Sequence, residues 1–592
     1  MITSELTDEQ TEVAAAGAGT RQLVTAGPGT GKTHTLVARI GHLVENEDIH
    51  PGGILALSFS RAAVGELRRR LRATGEDAGR VAPVTFDSFA TRVLAEVDPG
   101  GAWTQQSFDG RIHEAIGRVG DIAELLSTIE HVFIDELQDL VGVRMRFVKA
   151  LLPHVDAGFT LLGDPAQGIY DFALGDGETP ENAGAPALYR WVRDTYGDEL
   201  LDRTLTVNHR ARSELAKRAA SLGGIVVADS AAAMQQLLGI LAEAPRLTSL
   251  GLLRNATVDE RTAVLCRNNG HALWVSRHLR RDDVDHVVQR GATNRNVAPW
   301  IAQIVMAAGG GILSRGRFDN MLGKIGIEVE NTDELWFPLR RIARDELGVD
   351  LERLVQRLRQ GFIPDELYSL RYSPITVSTV HRSKGLEFDR VIVIDDGWRA
   401  PFDEEDARTL FVAESRTIET LTSAALPELQ GRLLVDKWTD RWVDAGWEHW
   451  KRHGMEIRPT DIDTLTPAGS FMLNVDATTV QERLAHDVQL ADPVHLELVR
   501  PKIGEPGAFY KVVWRDQPIA MASSQFGLDL MRVLKASKSW TYPRRIEEIS
   551  IDAIRTVGGD AAVTNQEGLG PGGAWLVPSL VGIGRFIWED GR

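Results

Sequence analysis

Two short segments constrain the fold more than anything else in the chain. Leu23-Val24-Thr25 reads as a strand and runs directly into Ala26-Gly27-Pro28-Gly29-Thr30-Gly31-Lys32-Thr33, a glycine-rich loop that opens a helix. Glycines free a backbone to wrap phosphates, and a helix N-terminus favours anions. Lys32 is therefore expected at the β- and γ-phosphates of a nucleotide, and the Thr33 hydroxyl on Mg²⁺. Ala26 stands where the usual pattern has Gly. Further along, a second apolar run, Val132-Phe133-Ile134, delivers two adjacent carboxylates. Asp135 is expected to hold the metal and Glu136 to activate the attacking water. Both halves of a nucleotide-hydrolysis site thus lie at the ends of strands in one chain.

Organisation along the chain agrees. From residue 20 to about 205, apolar runs near 22–26, 54–59, 132–136 and 159–163 alternate with helical patterns near 33–46, 61–73 and 144–152. A second set has strands near 263–266, 375–378 and 391–394 and helices near 211–222, 231–243 and 271–280. Such alternation predicts parallel sheets covered on both faces. Residues 300–370 turn Gly- and Arg-rich and read as an insertion; 453–470, with Thr, Pro and acids, read as a linker. Beyond it, His495-Leu-Glu-Leu-Val and the stretch from Phe509 to Leu534 predict strands and a helix in a separate β-rich domain. Trp438, Trp442, Trp447 and Trp450 approximate helical spacing and predict the apolar face of a docking helix.

The 592 residues exceed what one core supports. The formal charge of 66 − 83 = −17 excludes binding nucleic acid by net charge but leaves a local basic groove open. The single cysteine, Cys266, excludes a disulfide framework or a cysteine metal site and reads as a core residue. Without a long apolar run or a signal-peptide pattern, the chain is expected to be cytoplasmic, with no membrane partner.

Laid in order, the remaining motifs resemble superfamily 1 DNA helicases of the UvrD/Rep/PcrA type over residues 5 to about 425. Leu6-Thr-Asp-Glu-Gln10 resembles the Q motif, and Leu57-Ser-Phe59-Ser-Arg61 and Thr85-Phe86-Asp87-Ser88-Phe89 resemble channel motifs. Asp135-Glu-Leu-Gln138-Asp139 is similar to the D-E-x-Q-D box, and Leu162-Gly-Asp164-Pro-Ala-Gln167-Gly-Ile-Tyr170-Asp-Phe172 to motif III. Asn208-His209-Arg210 resembles N-Y-R, Val380-His381-Arg-Ser-Lys384-Gly-Leu-Glu387-Phe motif V, and Leu410-Phe-Val-Ala-Glu-Ser-Arg416-Thr motif VI.

The resemblance implies α/β architecture: two tandem RecA-like P-loop NTPase lobes with reduced helical insertions; no family motif covers the C-terminal β-rich domain, whose strand, loop, strand and helix order suits a small OB-like or related barrel. The expected bounds are 1–205 for the first lobe, with a short insertion at 90–130; 206–299 and 371–452 for the second, interrupted at 300–370; and 471–592 for the β-rich domain. It implies ATP and Mg²⁺ as cofactors, with Gln10 on the adenine edge, His34 beside the phosphates, His209 against the adenine and Glu387 at the ribose. Gln167 would sense the γ-phosphate, and Arg210 and Arg416 would be arginine fingers. Phe59, Arg61, Phe86, Tyr170, Phe172 and His381 would meet single-stranded DNA. The activity implied is ATP-dependent 3′→5′ translocation or unwinding at duplex junctions, with a protein partner able to dock on 471–592; the alternative is a DNA-stimulated switch or loading subunit with little unwinding. Two departures stand out. Asp87 replaces a His and would repel phosphates, and Ala173 replaces an Arg. No acid-acid-lysine nuclease constellation is present.

Overall fold

The computed structural model describes residues 5–98, 103, 106–175, 177–257, 259–289, 296–327, 331–361, 363–369, 373–396, 398, 400–429, 431–448, 451–467, 475–499, 508–535 and 542–588. The chain divides into two compact units: Met1–Leu247 with Ser383–Ala424, and Thr248–Arg382 with Ala425–Arg592.

In the first unit six parallel strands lie in the order Val84–Thr85, Ile54–Ser58, His131–Ile134, Gly158–Gly163, Arg21–Ala26, Leu200–Leu205. Consecutive strand residues feed opposite cores. Leu23, Leu55, Val132 and Leu161 pack with Phe89, Phe147 and Leu188 on one face; Val24, Ala56, Phe133 and Leu162 pack with Leu36, Ile40 and Leu71 on the other. A strand buried on both faces must be apolar at every position, which is why these strands read as unbroken apolar runs. The same unit holds parallel strands Arg246–Leu247, Thr417–Ala424 and Phe388–Ile394. The second unit holds three more, Thr262–Cys266, Ile375–Thr379 and Val287–Val288, with Cys266 fully buried. The α/β class is as expected: parallel sheets of two RecA-like lobes, and a C-terminal antiparallel β-rich sheet. Strands of the second lobe are distributed over both compact units.

The antiparallel sheet has eight strands in the order Arg432–Val435, Trp442–Ala445, Arg452–Ile457, Ala574–Ile587, Arg545–Gly558, Pro493–Val499, Phe509–Trp514, Gln517–Met521. Its two central strands are 14 residues each. Three expectations are corrected here. Strand Arg452–Ile457 lies between two sheet neighbours, so 453–470 does not begin as a linker. Within 300–370, Ile301, Val305, Phe318, Trp336 and Leu354 share one core with Tyr510, Phe526, Ile551 and Trp575. An eight-stranded sheet whose outer strands are not paired with one another, among the described residues, is not an OB barrel. The tryptophans do not lie on a helix. Trp442 opens a strand, while Trp438 and Trp447 sit in the turns on either side and are exposed; Trp450 lies outside the described residues. The turn around Asp440, with φ of 54°, and Gly446 break the helical period that the spacing imitates.

Candidate nucleotide site and aromatic ladder

Strand Arg21–Ala26 ends at the glycine-rich loop, where Gly29 and Gly31 adopt φ of 74° and 84°. A Cβ on Gly29 would lie 2.7 Å from the Arg210 Cβ, and one on Gly31 2.5 Å from Gln10 Nε2, so both positions need glycine for conformation and for space. Gly31 precedes helix Lys32–Asn46 without a side-chain cap, leaving the first-turn N–H groups to a ligand. Lys32 Nζ donates to the Ala26 carbonyl at 3.2 Å and lies 3.9 Å from Glu136 Oε2.

The loop is gripped from two sides. Buried Gln10 donates from Nε2 to the Thr30 carbonyl at 3.0 Å, while its Oε1 accepts from the Thr7 N–H. Asn208 Nδ2 donates to the Pro28 carbonyl at 2.6 Å and the His209 N–H to that of Gly29 at 2.9 Å. The His209 ring is exposed, and Ala26 and Thr30 are buried.

At the end of strand His131–Ile134, Asp135 is buried and Glu136 takes φ of 54°, a left-handed conformation costly for a side chain of that size and typical of functional positions. Burial, then the neighbouring Glu136, pushes the Asp135 carboxyl up to about 7. Burial also opposes the Glu136 charge, but Lys32 and then Lys384 outweigh it and hold that carboxyl below its ordinary value. Glu136 is therefore ionised, as a base must be, and Asp135 is a buried carboxyl held toward its neutral form, which a cation beside it would ionise. Thr33 and Asp135, a hydroxyl and a carboxylate, fit Mg²⁺, which takes one or two protein oxygens and completes its shell with phosphate and water. Among the described residues no group of three His, Cys, Asp or Glu side chains could hold a metal by itself.

A relay leads away from Glu136. Gln138 Nε2 donates to Glu136, and Gln138 Oε1 accepts the Asp164 N–H at 2.8 Å. Asp164 Oδ2 accepts from Gln167 Nε2 at 2.6 Å, and Gln167 Oε1 from Arg416 Nη2 at 2.6 Å. Burial and then Arg210 lower the Arg416 guanidinium to about 10. Arg210 donates to Glu387 at 2.9 Å and to the Ser415 carbonyl at 2.6 Å, so in this structure Glu387 partners an arginine. The cavity between these groups, about 160 Å³, is lined by Gly27, Pro28, Gly29, Gly31, Lys32, Thr33 and His34 of the loop. Glu136, Gln167, Arg210, Glu387 and Arg416 complete it, with Arg70 and Gly385 as members not foreseen.

Lys384 is the main residue that sequence reasoning passed over. It ion-pairs with Asp139, donates to the Gln167 carbonyl at 2.7 Å and lies 5.1 Å from the Tyr170 ring centre. Burial pushes Asp139 up to about 6 against the pull of Lys384. Tyr170 stands between Phe59 at 5.3 Å and Phe172 at 5.7 Å, and Phe172 is 65% exposed. Three of the residues expected on DNA thus form one aromatic ladder, touching through Lys384 the same glutamine that meets Arg416. Phe86 does not join them. It is fully buried among Phe89 and Val93, because the first turn of helix Phe86–Val97 faces the core, and its expected DNA contact is corrected. Arg61 opens helix Arg61–Thr74, its side chain lying outside the described residues; His381, a residue of the second unit, is half-buried in the short helix Val380–Ser383.

The departures have partners too. Asp87 lies 3.6 Å from Arg144, which also meets Asp109 at 3.1 Å, so its charge is answered within the protein. Ala173 closes a turn whose Asp171 accepts from Arg408 at 2.7 Å.

Family comparison gives this geometry its context. The family model described as UvrD/REP helicase N-terminal domain matches residues 6–109 and 106–184, and the UvrD-like helicase C-terminal domain matches 374–422. Over 154 residues the chain is 34% identical to "ATP-dependent DNA helicase UvrD2" of Mycobacterium tuberculosis (strain ATCC 25618 / H37Rv), covering 25% of this chain and 21% of that protein. It is 43% identical over 74 residues to "ATP-dependent DNA helicase PcrA" of Leuconostoc citreum, covering 12% and 10%. The chain spans about a fifth or less of the length of these curated relatives. The crystal structure of Pif1 helicase from Candida albicans aligns with a TM-score of 0.36 and 14% identity over 71% of this chain and 95% of that one. No helix of the described residues is long and apolar enough to cross a membrane. The motifs, the folded site and the family matches agree: residues 6–184 match the UvrD/REP helicase N-terminal domain and residues 374–422 the UvrD-like helicase C-terminal domain.

Proposed function

We propose that the chain is a cytoplasmic, ATP-dependent DNA translocase or helicase that moves 3′→5′ along single strands and acts at duplex junctions. The observation that carries this reading is the relay from Glu136 through Gln138, Asp164 and Gln167 to Arg416, joined through Lys384 to Tyr170 of the aromatic ladder. Ionised Glu136 accepts the proton of the attacking water. Arg416 and Arg210 stabilise charge developing on the transferred phosphoryl group. Arg210 must release Glu387 to do so, which frees that carboxylate for the ribose hydroxyls. Mg²⁺, held by Thr33 and Asp135, would neutralise phosphate charge. A base stacking on Phe172 and Tyr170 shifts Lys384 and with it Gln167, so strand binding reaches the hydrolytic carboxylate.

The lobe bounds at 205/206 and around the 300–370 interruption belong to this proposal, as does a protein partner on 471–592. A second reading, a DNA-stimulated switch or loading subunit with little unwinding, is favoured by one feature: Asp87 is engaged with Arg144 instead of carrying a histidine toward a strand. ATPase assays without polymer and with single-stranded DNA, duplex DNA and RNA, followed by strand displacement on a 3′-tailed duplex, test the choice. Stimulation by single-stranded DNA with displacement supports the motor; stimulation without displacement supports the switch; no ATPase overturns both. Glu136→Gln should bind ATP and lose about 10²- to 10⁴-fold in turnover.

A further inference from the structure

We infer that Tyr189 is a positioning residue for ATP hydrolysis: its hydroxyl holds the Gln138 carboxamide in the orientation that presents Nε2 to Glu136. The inference rests on the proposed hydrolytic function and adds a residue that lies in neither family match.

Tyr189 lies on helix Ala185–Tyr196, whose inward face packs through Leu188 and Val192 on the first-lobe core. The residue is 2% exposed, and its ring belongs to that core like its neighbours. Its oxygen does not. The hydroxyl is buried from solvent with no hydrogen-bond partner among the described residues. A hydroxyl taken out of water without a partner lowers stability, so phenylalanine would serve packing better at this position. A buried orphan of this kind points to a use outside the static fold.

What lies against the hydroxyl supplies that use. Strand Gly158–Gly163 ends at a residue with no side chain, and a Cβ built on Gly163 would overlap the Tyr189 oxygen and lie 2.5 Å from Gln138 Oε1. The two oxygens therefore converge over one glycine, in space that any other residue would fill. Gln138 is fully buried, and its Oε1 accepts a single N–H, that of Asp164 at 2.8 Å, although an amide oxygen has two lone pairs. Burial, then Asp164, Glu136 and Asp139, push the phenol pKa up, so the Tyr189 oxygen keeps its proton and is a donor beside an acceptor.

A carboxamide has nearly the same shape when turned over. Turned over, Gln138 would set its oxygen against the Glu136 carboxylate and its NH₂ against the Asp164 N–H. A second donor on Oε1 opposes that flip where it matters most, when Glu136 has taken the proton of the attacking water and its hold on Nε2 weakens. A small shift of either side chain completes the bond, and the relay from Glu136 to Arg416 stays in register for the next turnover.

The test uses the full chain with MgATP and single-stranded DNA. Tyr189→Phe should lower kcat roughly tenfold, about the worth of one hydrogen bond, and leave KM for ATP within about twofold. Its melting temperature should be unchanged or raised, because the lost hydroxyl has no partner in this structure. Gln138→Ala should cost more, and adding Tyr189→Phe to it should cost nothing further, since the hydroxyl acts only through the amide it holds. Normal kcat in Tyr189→Phe, or losses that multiply in the double variant, overturns the role while the hydrolytic function stands. A lowered melting temperature with normal kcat reduces Tyr189 to a packing residue. If the unaltered chain hydrolyses no ATP, the functional reading falls and this role with it.

Discussion

Buried arginines are handled differently in the nucleotide site and in the antiparallel sheet. In the sheet unit, Arg441 bonds Asp461 at 2.6 and 2.8 Å and Asp529 at 2.9 and 3.0 Å, with the Glu456 carbonyl as a further acceptor. Burial opposes its charge, but the bond to Asp461 and the carboxylates outweigh this and raise its pKa. Arg416 is buried much as Arg441 is, at 3% against 2% exposure, yet its hydrogen bonds go to neutral oxygens, those of Gln167, Val412, Leu386 and Ser415. Arg39, a third case, is also held without a carboxylate: the Val13 and Ala14 carbonyls at the end of helix Asp8–Ala14 accept from it, and a helix C-terminus is the negative end of the dipole. Of the three, Arg416 lines the nucleotide cavity. A structural cation is closed by anions or dipoles in the fold. A functional one is left with charge to offer, at a cost in desolvation that a bound anion would reverse.

The strongest way to break this comparison is Arg416→Ala. With no carboxylate stranded by its loss, stability should change little, while kcat should fall on the order of 10³-fold or more, with KM much less affected. Steady-state ATPase and a thermal melt read the two effects; a large loss of stability with near-normal kcat would reduce Arg416 to a second Arg441.

Arg441→Ala is the converse. It leaves Asp461 and Asp529 without their buried cation, with only the half-exposed Arg532 at 3.7 Å from Asp529, and should destabilise the sheet unit by about 3–5 kcal/mol, since removing one partner leaves buried charge poorly compensated. Urea unfolding followed by tryptophan fluorescence measures it, and survival of the ATPase in that variant would sharpen the contrast.

Packing offers a smaller effect. Trp575, among the largest fully buried side chains, lies across Gly559 so that a Cβ there would overlap its ring. Gly559→Ala should cost about 1–3 kcal/mol through overpacking, read as a lower urea midpoint.

The smallest expected effect tests the closed kind of site by pH. His131 bonds the Ala18 carbonyl through Nδ1 at 2.7 Å and Thr160 through Nε2 at 3.0 Å, and Thr160 Oγ1 accepts from Arg39 Nε at 2.7 Å. Burial, then Arg39, lowers the His131 pKa from 6.5 to about 3. The folded imidazole is neutral and the unfolded one takes up a proton below pH 6.5, so its contribution is complete above that value and is lost as pH falls toward 3. The slope from this residue is at most about 1.4 kcal/mol per pH unit. His131→Gln should flatten the pH dependence of the urea midpoint between pH 6 and 4; an unchanged profile would show that other groups set it.

Several features were legible from the chain because they are local. The first-lobe strands near 22–26, 132–136 and 159–163 fall within a residue or two of the observed ones, since burial on both faces demands continuous apolar runs. The glycine-rich loop and the Asp135-Glu136 pair were readable because adjacent residues on one strand end share one chemistry. The ladder of Phe59, Tyr170 and Phe172 was grouped by resemblance, and the fold brings the three rings together. Other features were not. Trp438, Trp442 and Trp447 imitate helical spacing, and nothing in their neighbourhood announces that Trp442 packs on Gly270. Phe86 and Phe59 occupy similar motif contexts, yet one helix turn faces its ring into the core.

Sequence alone determined the class of fold, the loop that can cradle phosphate and the carboxylates beside it, because propensity, period and adjacent side chains act over a few residues. Tertiary structure alone decided that Lys384 meets Asp139 from 245 positions away, that Gln167 accepts from Arg416 across 249, and that residues 300–370 share a core with the last strands of the chain. Those pairings depend on which surfaces exclude water together. That selection is made by the whole packed chain, where a buried charge or apolar face must find its complement wherever in the sequence it lies.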